Sequence, residues 1–132
     1  MCDEDGIVWH PQYYAQGKGL KSTLRQVRRL NKVAFYLHNK HNFDITHCRS
    51  YISALAGMRM KKKFGTKFIF DMRGFWADER VDGGLWDLSN FLYKRIYNYF
   101  KRKERAFLKE ADYIISLTEN GKNEMLSWPS TA

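Results

Sequence analysis

Three polar stretches of this chain carry imidazole, carboxylate and guanidinium groups, and they start at His47, Asp71 and Thr118. Arg49 accompanies the first stretch and Arg73 the second. Imidazole and carboxylate groups hydrogen-bond the hydroxyl groups of a ligand, and guanidinium groups bind anions. These residue types indicate a site for a small polar ligand, provided that the surrounding elements bring the three stretches together.

The hydrophobic pattern predicts strands and helices in alternation. Apolar runs predict strands at residues 6–10, 44–48, 67–71 and 113–117. Apolar residues at three- and four-residue spacing predict helices that start near Leu20, at Ser50, near Leu85 and at Thr118. This order predicts an α/β domain with a mostly parallel sheet of about four strands. Ligands of such sheets bind beyond the carboxyl ends of the strands, which is where the three polar stretches fall.

The composition limits the kind of protein. With 132 residues, of which 44% are hydrophobic, the chain is long enough for one domain with a real core. No apolar run approaches the roughly 20 residues that cross a bilayer, and no apolar segment follows the acidic amino terminus, so we expect neither a membrane span nor a secretory signal. Cys2 and Cys48 cannot form a disulfide scaffold. We therefore expect a cytoplasmic location.

Longer motifs surround the polar residues. The first runs from His47 to Tyr51, the second from Phe70 to Arg80 and the third from Ala111 to Glu119. In order and spacing they resemble the N-terminal domain of glycosyltransferase family 4, over roughly residues 6–128. The resemblance implies a Rossmann-like three-layer α/β/α domain of a GT-B enzyme. It also implies retaining transfer of a sugar from a nucleotide diphosphate sugar to a glycan or lipid-linked acceptor in polysaccharide biosynthesis, with no cofactor besides this donor.

The resemblance further implies that part of the enzyme is missing. Family enzymes have a second Rossmann-like domain that holds most contacts to the nucleotide sugar, and 132 residues leave no room for it. Their first strand and its glycine-rich loop also have no counterpart, because residues 6–9 resemble a later strand. Residues 1–132 are therefore expected to form a single partial domain, inactive without its C-terminal partner domain.

Family enzymes commonly place a histidine near the end of the third strand, where this chain has Asp71-Met72-Arg73. The catalytic residue therefore stays unassigned, with Asp71 and Arg73 as candidates. Arg49 and Arg73 would stabilise a departing diphosphate, and Asp71 would orient the acceptor hydroxyl. The residues expected to bind substrate are His47, Arg49, Ser50, Gly74, Trp76, Thr118 and Glu119.

Each of these residues also has a plainer interpretation. His47 can support a neighbouring loop through a hydrogen bond, and Asp71 can form a structural ion pair with Arg73. Thr118 can cap the last helix, as Ser50 can cap an earlier one.

Other reactive groups favour structural roles. Cys48 follows His47 on a strand, so the two side chains point to opposite faces and Cys48 is expected to be a small buried hydrophobic residue. His38, His41 and His47 lack the cysteine or carboxylate that would complete a zinc spacing, so no metal is expected. The polar stretch 73–84 is expected to be a loop. Within it, Asp78, Glu79, Arg80 and Asp82 could form a paired-carboxylate site, but a solvated cluster with an internal ion pair is favoured.

Positive charge is concentrated in two segments. Residues 59–67 hold five cations and no acid, and residues 94–105 hold six cations and one acid. A solvated helix face is the plainest interpretation. Contact with an anionic membrane surface, peripheral at its inner face, is a second interpretation and suits a lipid-linked acceptor.

Nucleic-acid binding is the alternative function, because aromatic residues among these cations can stack on bases while the cations neutralise phosphates. A small basic nucleic-acid-binding module would need no second domain. However, polar groups gathered at strand ends indicate a small-ligand site, so no nucleic-acid partner is expected. A degenerate gene piece without activity is a third interpretation.

Overall fold

A computed structural model of the chain describes residues 5–12 and 20–128. Cys2 lies outside the described residues. The described part contains five helices and three strands. They are α1 (Leu20–His41), β1 (Ile45–Arg49), α2 (Ser50–Phe64), β2 (Lys67–Met72), α3 (Trp76–Asp82), α4 (Phe91–Glu110), β3 (Tyr113–Ser116) and α5 (Glu119–Ser127).

The three strands form one parallel sheet in the order β1-β2-β3. Cys48 pairs with Phe70 between β1 and β2, and Phe70 pairs with Ile114 between β2 and β3. Both connections step in the same direction along the sheet, and because such crossovers are right-handed, α2 and α4 lie on the same face. These two helices pack against each other and against β2, while α1 packs on α2. The predicted Rossmann-like α/β fold is confirmed.

The sheet has three strands in the described part of the chain rather than about four, because the strand predicted at residues 6–10 does not form. The side chains of Ile7, Val8 and Trp9 are exposed. A β-prone run becomes a strand only where a neighbouring strand pairs with it and covers one of its faces, so propensity alone misled the prediction.

Alternation along β2 separates a buried face from a partly open one. Phe68, Phe70 and Met72 are buried, whereas Ile69 and Asp71 between them are only partly buried. Each strand residue points away from its neighbours, so the three buried side chains all face the helices. The open face carries Asp71.

Aromatic rings from α2 and α4 close over the buried face. The Phe70 ring centroid is 5.9 Å from that of Tyr51 in α2 and 5.3 Å from that of Phe107 in α4. Aromatic pairs in this range contribute about 0.5–1.5 kcal/mol beyond the burial of their area. The rings therefore join both helices to the central strand.

Gly57 allows α2 to approach the sheet closely. A methyl group added there would lie 2.8 Å from the Phe68 ring and would also clash with Cys48 Sγ. Cys48 is buried, as predicted, and burial raises the pKa of its thiol to about 11. The thiol is therefore a packing group under ordinary conditions.

Two predicted boundaries are wrong. The stretch 73–84 contains the helix α3, whose first turn holds Asp78 and Glu79, and acidic residues at this position interact favourably with the helix dipole. The helix predicted from about Leu85 begins only at Phe91, because the side chain of Asn90 accepts a hydrogen bond from Leu92 N at 2.9 Å and so caps α4 there.

Asp112 links α2, β2 and the start of β3 at the amino edge of the sheet. Its carboxylate accepts hydrogen bonds from Phe68 N and from Lys61 Nζ, each at 2.9 Å, and Lys67 Nζ lies 3.5 Å away. The backbone hydrogen bond, followed by that from Lys61, lowers the pKa of Asp112 to about 2. The charged form is thus specifically stabilised in the folded chain.

We expect Gly57→Ala to lower the free energy of unfolding by about 1–3 kcal/mol, because the added methyl overpacks the core even though alanine favours helices. Arg59→Ala, at an exposed position of the same helix, is the control and should change it by less than about 0.5 kcal/mol. Urea unfolding measures both variants. If Gly57→Ala is as stable as the wild type, α2 does not approach the sheet this closely.

We expect Asp112→Asn to destabilise the fold at neutral pH and to have less effect as the pH falls. The carboxylate contributes stability above its ordinary pKa of 3.8, and the contribution is lost as the pH falls through about 2. Urea unfolding over this range measures the difference from wild type. Asp44→Asn is the charge-matched control, because Asp44 is exposed and forms no ion pair within the described residues. A difference that does not change with pH would contradict the prediction.

Candidate functional site

The carboxyl ends of the three strands form one edge of the sheet, and the polar stretches lie along it. Arg49, the last residue of β1, is in register with Asp71 near the end of β2. Met72, the last residue of β2, is in register with Ser116 at the end of β3, and Thr118 follows two residues later. The three polar stretches therefore share one edge, as predicted.

His47 and Asp71 form a polar pair at this edge. His47 Nε2 lies 3.2 Å from Asp71 Oδ2. The His47 side chain is 54% exposed and the Asp71 side chain 13%. Asp71 Oδ1 is buried and has no hydrogen-bond partner within the described residues. Once the groups that cover Oδ1 move, a ligand hydroxyl that donates to this oxygen would satisfy it, so the pair is suited to holding a hydroxyl group.

Arg73 does not pair with Asp71, so the ion pair considered from the sequence is wrong. The side chain of Arg73 is exposed and borders a cavity next to α3, α4 and α5. Because β2 ends at Met72, the backbone leaves the strand before Arg73, and the alternation that would place residues 71 and 73 on one face no longer applies.

The cavity lies between the ends of β2 and β3 and the helices α3, α4 and α5. Its volume is about 1390 Å³, and its wall includes four predicted residues, Arg73, Gly74, Thr118 and Glu119. The rings of Phe75 and Trp128 also border it, with centroids 5.6 Å apart. The wall combines aromatic rings with many charged side chains, among them Asp78, Lys101 and Glu104. The edge thus has two parts, the His47–Asp71 pair on the open face and this cavity on the helix-covered face.

Thr118 caps α5, as the plainer interpretation predicted. Its Oγ1 accepts a hydrogen bond from Gly121 N at 3.0 Å. Glu119 forms an exposed ion pair with Lys122 at 3.2 Å, and such pairs contribute little to stability. The Thr118 hydroxyl is therefore occupied by the helix, whereas Glu119 is accessible to a ligand.

The turn from β1 into α2 has an unusual backbone at Ser50. Its φ is 69°, in the left-handed region that non-glycine residues rarely adopt. The predicted cap by Ser50 is wrong, because Arg49 occupies the N-cap position and makes no side-chain capping hydrogen bond. The hydroxyl of Ser53 donates instead to the carbonyl oxygens of Arg49 and Ser50. The turn leaves the Arg49 side chain exposed at the edge of the sheet.

Trp76 packs in an aromatic cluster and does not border the cavity. Its ring centroid lies 4.8 Å from that of Phe100, 5.4 Å from that of Trp86 and 5.8 Å from that of Tyr51. The Arg80 guanidinium lies 5.0 Å from the centre of its ring. This packing favours a role in holding α3 against α4, and substrate binding by Trp76 stays a prediction.

A partly buried polar network in the wall of the cavity was not predicted. Lys101 Nζ lies 2.8 Å from Asp78 Oδ2 and 2.6 Å from Glu104 Oε1. The Tyr51 hydroxyl donates to Glu104 Oε2, and the Tyr97 hydroxyl donates to Asp78 Oδ1 at 2.7 Å. The network joins α2, α3 and α4.

The signal for this network is the position of Glu104, which is fully buried between Phe100 and Phe107 on the apolar stripe of α4. A carboxylate at such a position requires partners. Burial, and then the hydrogen bond and negative charge of Glu104, raise the pKa of Tyr51. Burial lowers the pKa of Lys101, but the carboxylates of Asp78 and Glu104 together raise it by more. The Tyr51 hydroxyl therefore stays protonated and the Lys101 ammonium stays charged at neutral pH.

His38 and His41 interact with aromatic rings. The imidazole of His38 stacks on Phe64 and that of His41 on Phe43, with ring centroids 4.1 and 5.8 Å apart. Within residues 5–12 and 20–128, no three His, Cys, Asp or Glu side chains are grouped as metal ligands. In the same part of the chain, no helix has the length and apolar character to cross a membrane.

The parallel sheet and its helical crossovers define a Rossmann-like domain with polar side chains at the carboxyl ends of its strands, the edge at which such folds bind ligands. Residues 3–131 match the family model described as Glycosyltransferase Family 4. The chain therefore belongs to glycosyltransferase family 4, in agreement with the resemblance of its motifs. Searches of curated proteins and of solved structures found no match.

We expect Tyr51→Phe to lower the free energy of unfolding by about 1–3 kcal/mol at neutral pH, because buried Glu104 loses a hydrogen-bond donor. The raised pKa means that Tyr51 contributes stability below its ordinary pKa of 10.0 and loses this contribution as the pH rises further. The difference between wild type and variant should therefore shrink at strongly alkaline pH.

Urea unfolding at neutral and alkaline pH measures this difference. Tyr113→Phe is the control, because Tyr113 is exposed and loses the same hydroxyl. If Tyr51→Phe is as stable as Tyr113→Phe at neutral pH, the hydroxyl of Tyr51 does not support Glu104.

Proposed function

We propose that this chain is the acceptor-side domain of a retaining glycosyltransferase. The enzyme transfers a hexosyl group from a nucleotide diphosphate sugar to a hydroxyl group of a glycan or lipid-linked acceptor. The observation that carries the proposal is the His47–Asp71 pair, with its unpartnered oxygen, at the carboxyl edge of a family 4 sheet.

Asp71 orients the acceptor hydroxyl in this proposal. His47 Nε2 holds Oδ2 at 3.2 Å, and Oδ1 accepts a hydrogen bond from the acceptor when acceptor binding moves the groups that cover it. Holding the hydroxyl in position removes much of the entropic cost of bringing two substrates together. The half-exposed imidazole of His47 contacts the acceptor or the transferred sugar beside it.

Arg49 and Arg73 supply positive charge for the departing nucleotide diphosphate. Both side chains are exposed on the edge that carries Asp71. Guanidinium groups bind phosphate oxygens through paired hydrogen bonds and stabilise the negative charge that develops as the bond from sugar to diphosphate breaks. The nucleotide diphosphate sugar is a substrate, and the proposed reaction uses no further cofactor.

A second domain binds most of the donor. The family resemblance assigns the nucleotide-sugar contacts mainly to a C-terminal Rossmann-like domain, and residues 1–132 serve as its N-terminal partner. In this proposal the chain alone binds the acceptor but does not transfer the sugar.

The test joins the chain to the C-terminal domain of a family 4 enzyme and assays transfer from a panel of nucleotide diphosphate sugars to glycan and lipid-linked acceptors. Calorimetric titration of the same acceptors into the chain alone measures acceptor binding separately. Acceptor binding without transfer is expected for the chain alone, and transfer for the joined protein. If no acceptor binds and no donor is consumed, the proposal fails.

We expect Asp71→Asn to lower the rate of transfer by the joined protein by about 100-fold. The one oxygen of the amide stays hydrogen-bonded to His47, and the amide nitrogen cannot accept a hydrogen bond from the hydroxyl group of the acceptor. Asp44→Asn removes the same charge at the amino edge of the sheet and should leave transfer unchanged. Steady-state rates at saturating donor measure both. Equal rates for the two variants would exclude the role of Asp71.

A further inference from the structure

Charge is strongly divided between the helices and the rest of the chain. The helices α1, α2 and α4 contain 17 of the 23 Lys and Arg residues but only 2 of the 14 Asp and Glu residues, which gives them a net charge of +15. The rest of the chain therefore carries −6 of the total +9. Such a division creates a strong local field that attracts anionic surfaces.

The outward side of α4 concentrates this charge. We call it the basic face, and it consists of five exposed cations without an acidic residue among them, Lys94, Arg95, Arg102, Arg105 and Lys109. Arg95, Arg102 and Arg105 surround one groove of about 480 Å³ together with Asn98. Within the described residues, Arg102 and Arg105 form no ion pair, so their charge is available to an external anion.

Large apolar side chains are exposed beside the basic face. Phe91 and Leu92, in the first turn of α4, are 71% and 52% exposed. We call these two residues the apolar tip. The Arg95 guanidinium lies 5.4 Å from the centre of the Phe91 ring, so cation and ring are adjacent.

We propose that the basic face of α4 docks on an anionic lipid bilayer and that Phe91 and Leu92 of the apolar tip enter its interfacial region. A cation near an anionic leaflet contributes on the order of 1 kcal/mol, and apolar side chains at the boundary of headgroups and acyl chains add to this. The proposal does not rest on sugar transfer, because docking needs only this helix and its surroundings.

The apolar tip distinguishes a bilayer from a nucleic acid as the partner. Nucleic acids offer phosphates to the five cations but no aliphatic layer that could bury Leu92. Single-stranded nucleic acids are bound by aromatic rings spread along a basic groove, whereas the groove of α4 is lined by Arg95, Asn98, Lys101, Arg102 and Arg105. The observations therefore favour a lipid surface.

The experiment is co-sedimentation of the full chain with vesicles. Vesicles of phosphatidylglycerol and phosphatidylcholine in equal amounts are compared with vesicles of phosphatidylcholine alone, at about 100 mM salt, where surface charges are only partly screened. We expect binding to the anionic vesicles and at least about tenfold weaker binding to the neutral ones.

Two triple variants test which face docks. Arg95→Gln, Arg102→Gln and Arg105→Gln together should weaken binding to anionic vesicles at least about tenfold. The control removes the same charge from exposed positions of α1 through Arg25→Gln, Arg28→Gln and Lys32→Gln, and it should weaken binding less than about threefold. Circular dichroism checks that both variants are folded.

A variant of the apolar tip tests insertion separately. Phe91→Ser should weaken binding several-fold without changing its dependence on salt, because the ring is exposed and uncharged. This variant also keeps the proposal testable if the α4 triple variant does not fold.

Three results would overturn the proposal. The first is that the α1 and α4 triple variants weaken vesicle binding equally, which would show that the vesicles respond to the total charge of the chain rather than to the basic face. The second is unchanged binding by Phe91→Ser. The third is displacement of the chain from the vesicles by an equal phosphate concentration of double-stranded DNA or transfer RNA, which would identify a nucleic acid as the preferred partner.

Discussion

The parallel register of β1 on β2 is the constraint on which the candidate site depends. It sets Arg49 beside Asp71 and brings His47 Nε2 within 3.2 Å of Asp71 Oδ2. The same register keeps Phe68 and Phe70 under the helices. A slip of one residue would exchange the two faces of β2, moving a carboxylate into the core and phenylalanine rings into water. Because burial stabilises each such ring by about 1.5–3 kcal/mol, core packing opposes any slip and so fixes the polar edge.

The partly buried polar network adds a constraint on the helices. Glu104 joins α4 to α2 through Tyr51, and Lys101 joins α4 to α3 through Asp78. A buried charge without a partner destabilises a fold strongly, so the three helices keep the one arrangement in which these groups are paired. Since α3 begins directly after Phe75, the network also positions the loop that borders the cavity.

The location of the candidate site was predictable from the sequence because it follows from topology. Apolar runs at 44–48, 67–71 and 113–117 indicate strands in a covered parallel sheet, and the carboxyl ends of such strands share an edge. The absence of the strand expected at residues 6–10 was not predictable, because strand pairing depends on a neighbouring strand rather than on propensity alone. The left-handed backbone of Ser50 likewise depends on tertiary packing. Glu104 did leave a signal, since a carboxylate on an apolar stripe requires buried partners.

The direction of α4 determines where the candidate site lies relative to the proposed bilayer surface. The strands run toward the edge that carries His47 and Asp71, and α4 returns from that edge to the amino end of β3. Two residues separate the end of α4 from β3, so the last turn of α4 lies at the amino edge of the sheet. Its first turn, which carries the apolar tip, therefore lies at the opposite edge, where the site is. A chain docked through the basic face with Phe91 in the interface therefore holds its polar edge at the bilayer. A lipid-linked acceptor is confined to that surface, so docking of this kind favours the lipid-linked class over a freely diffusing glycan.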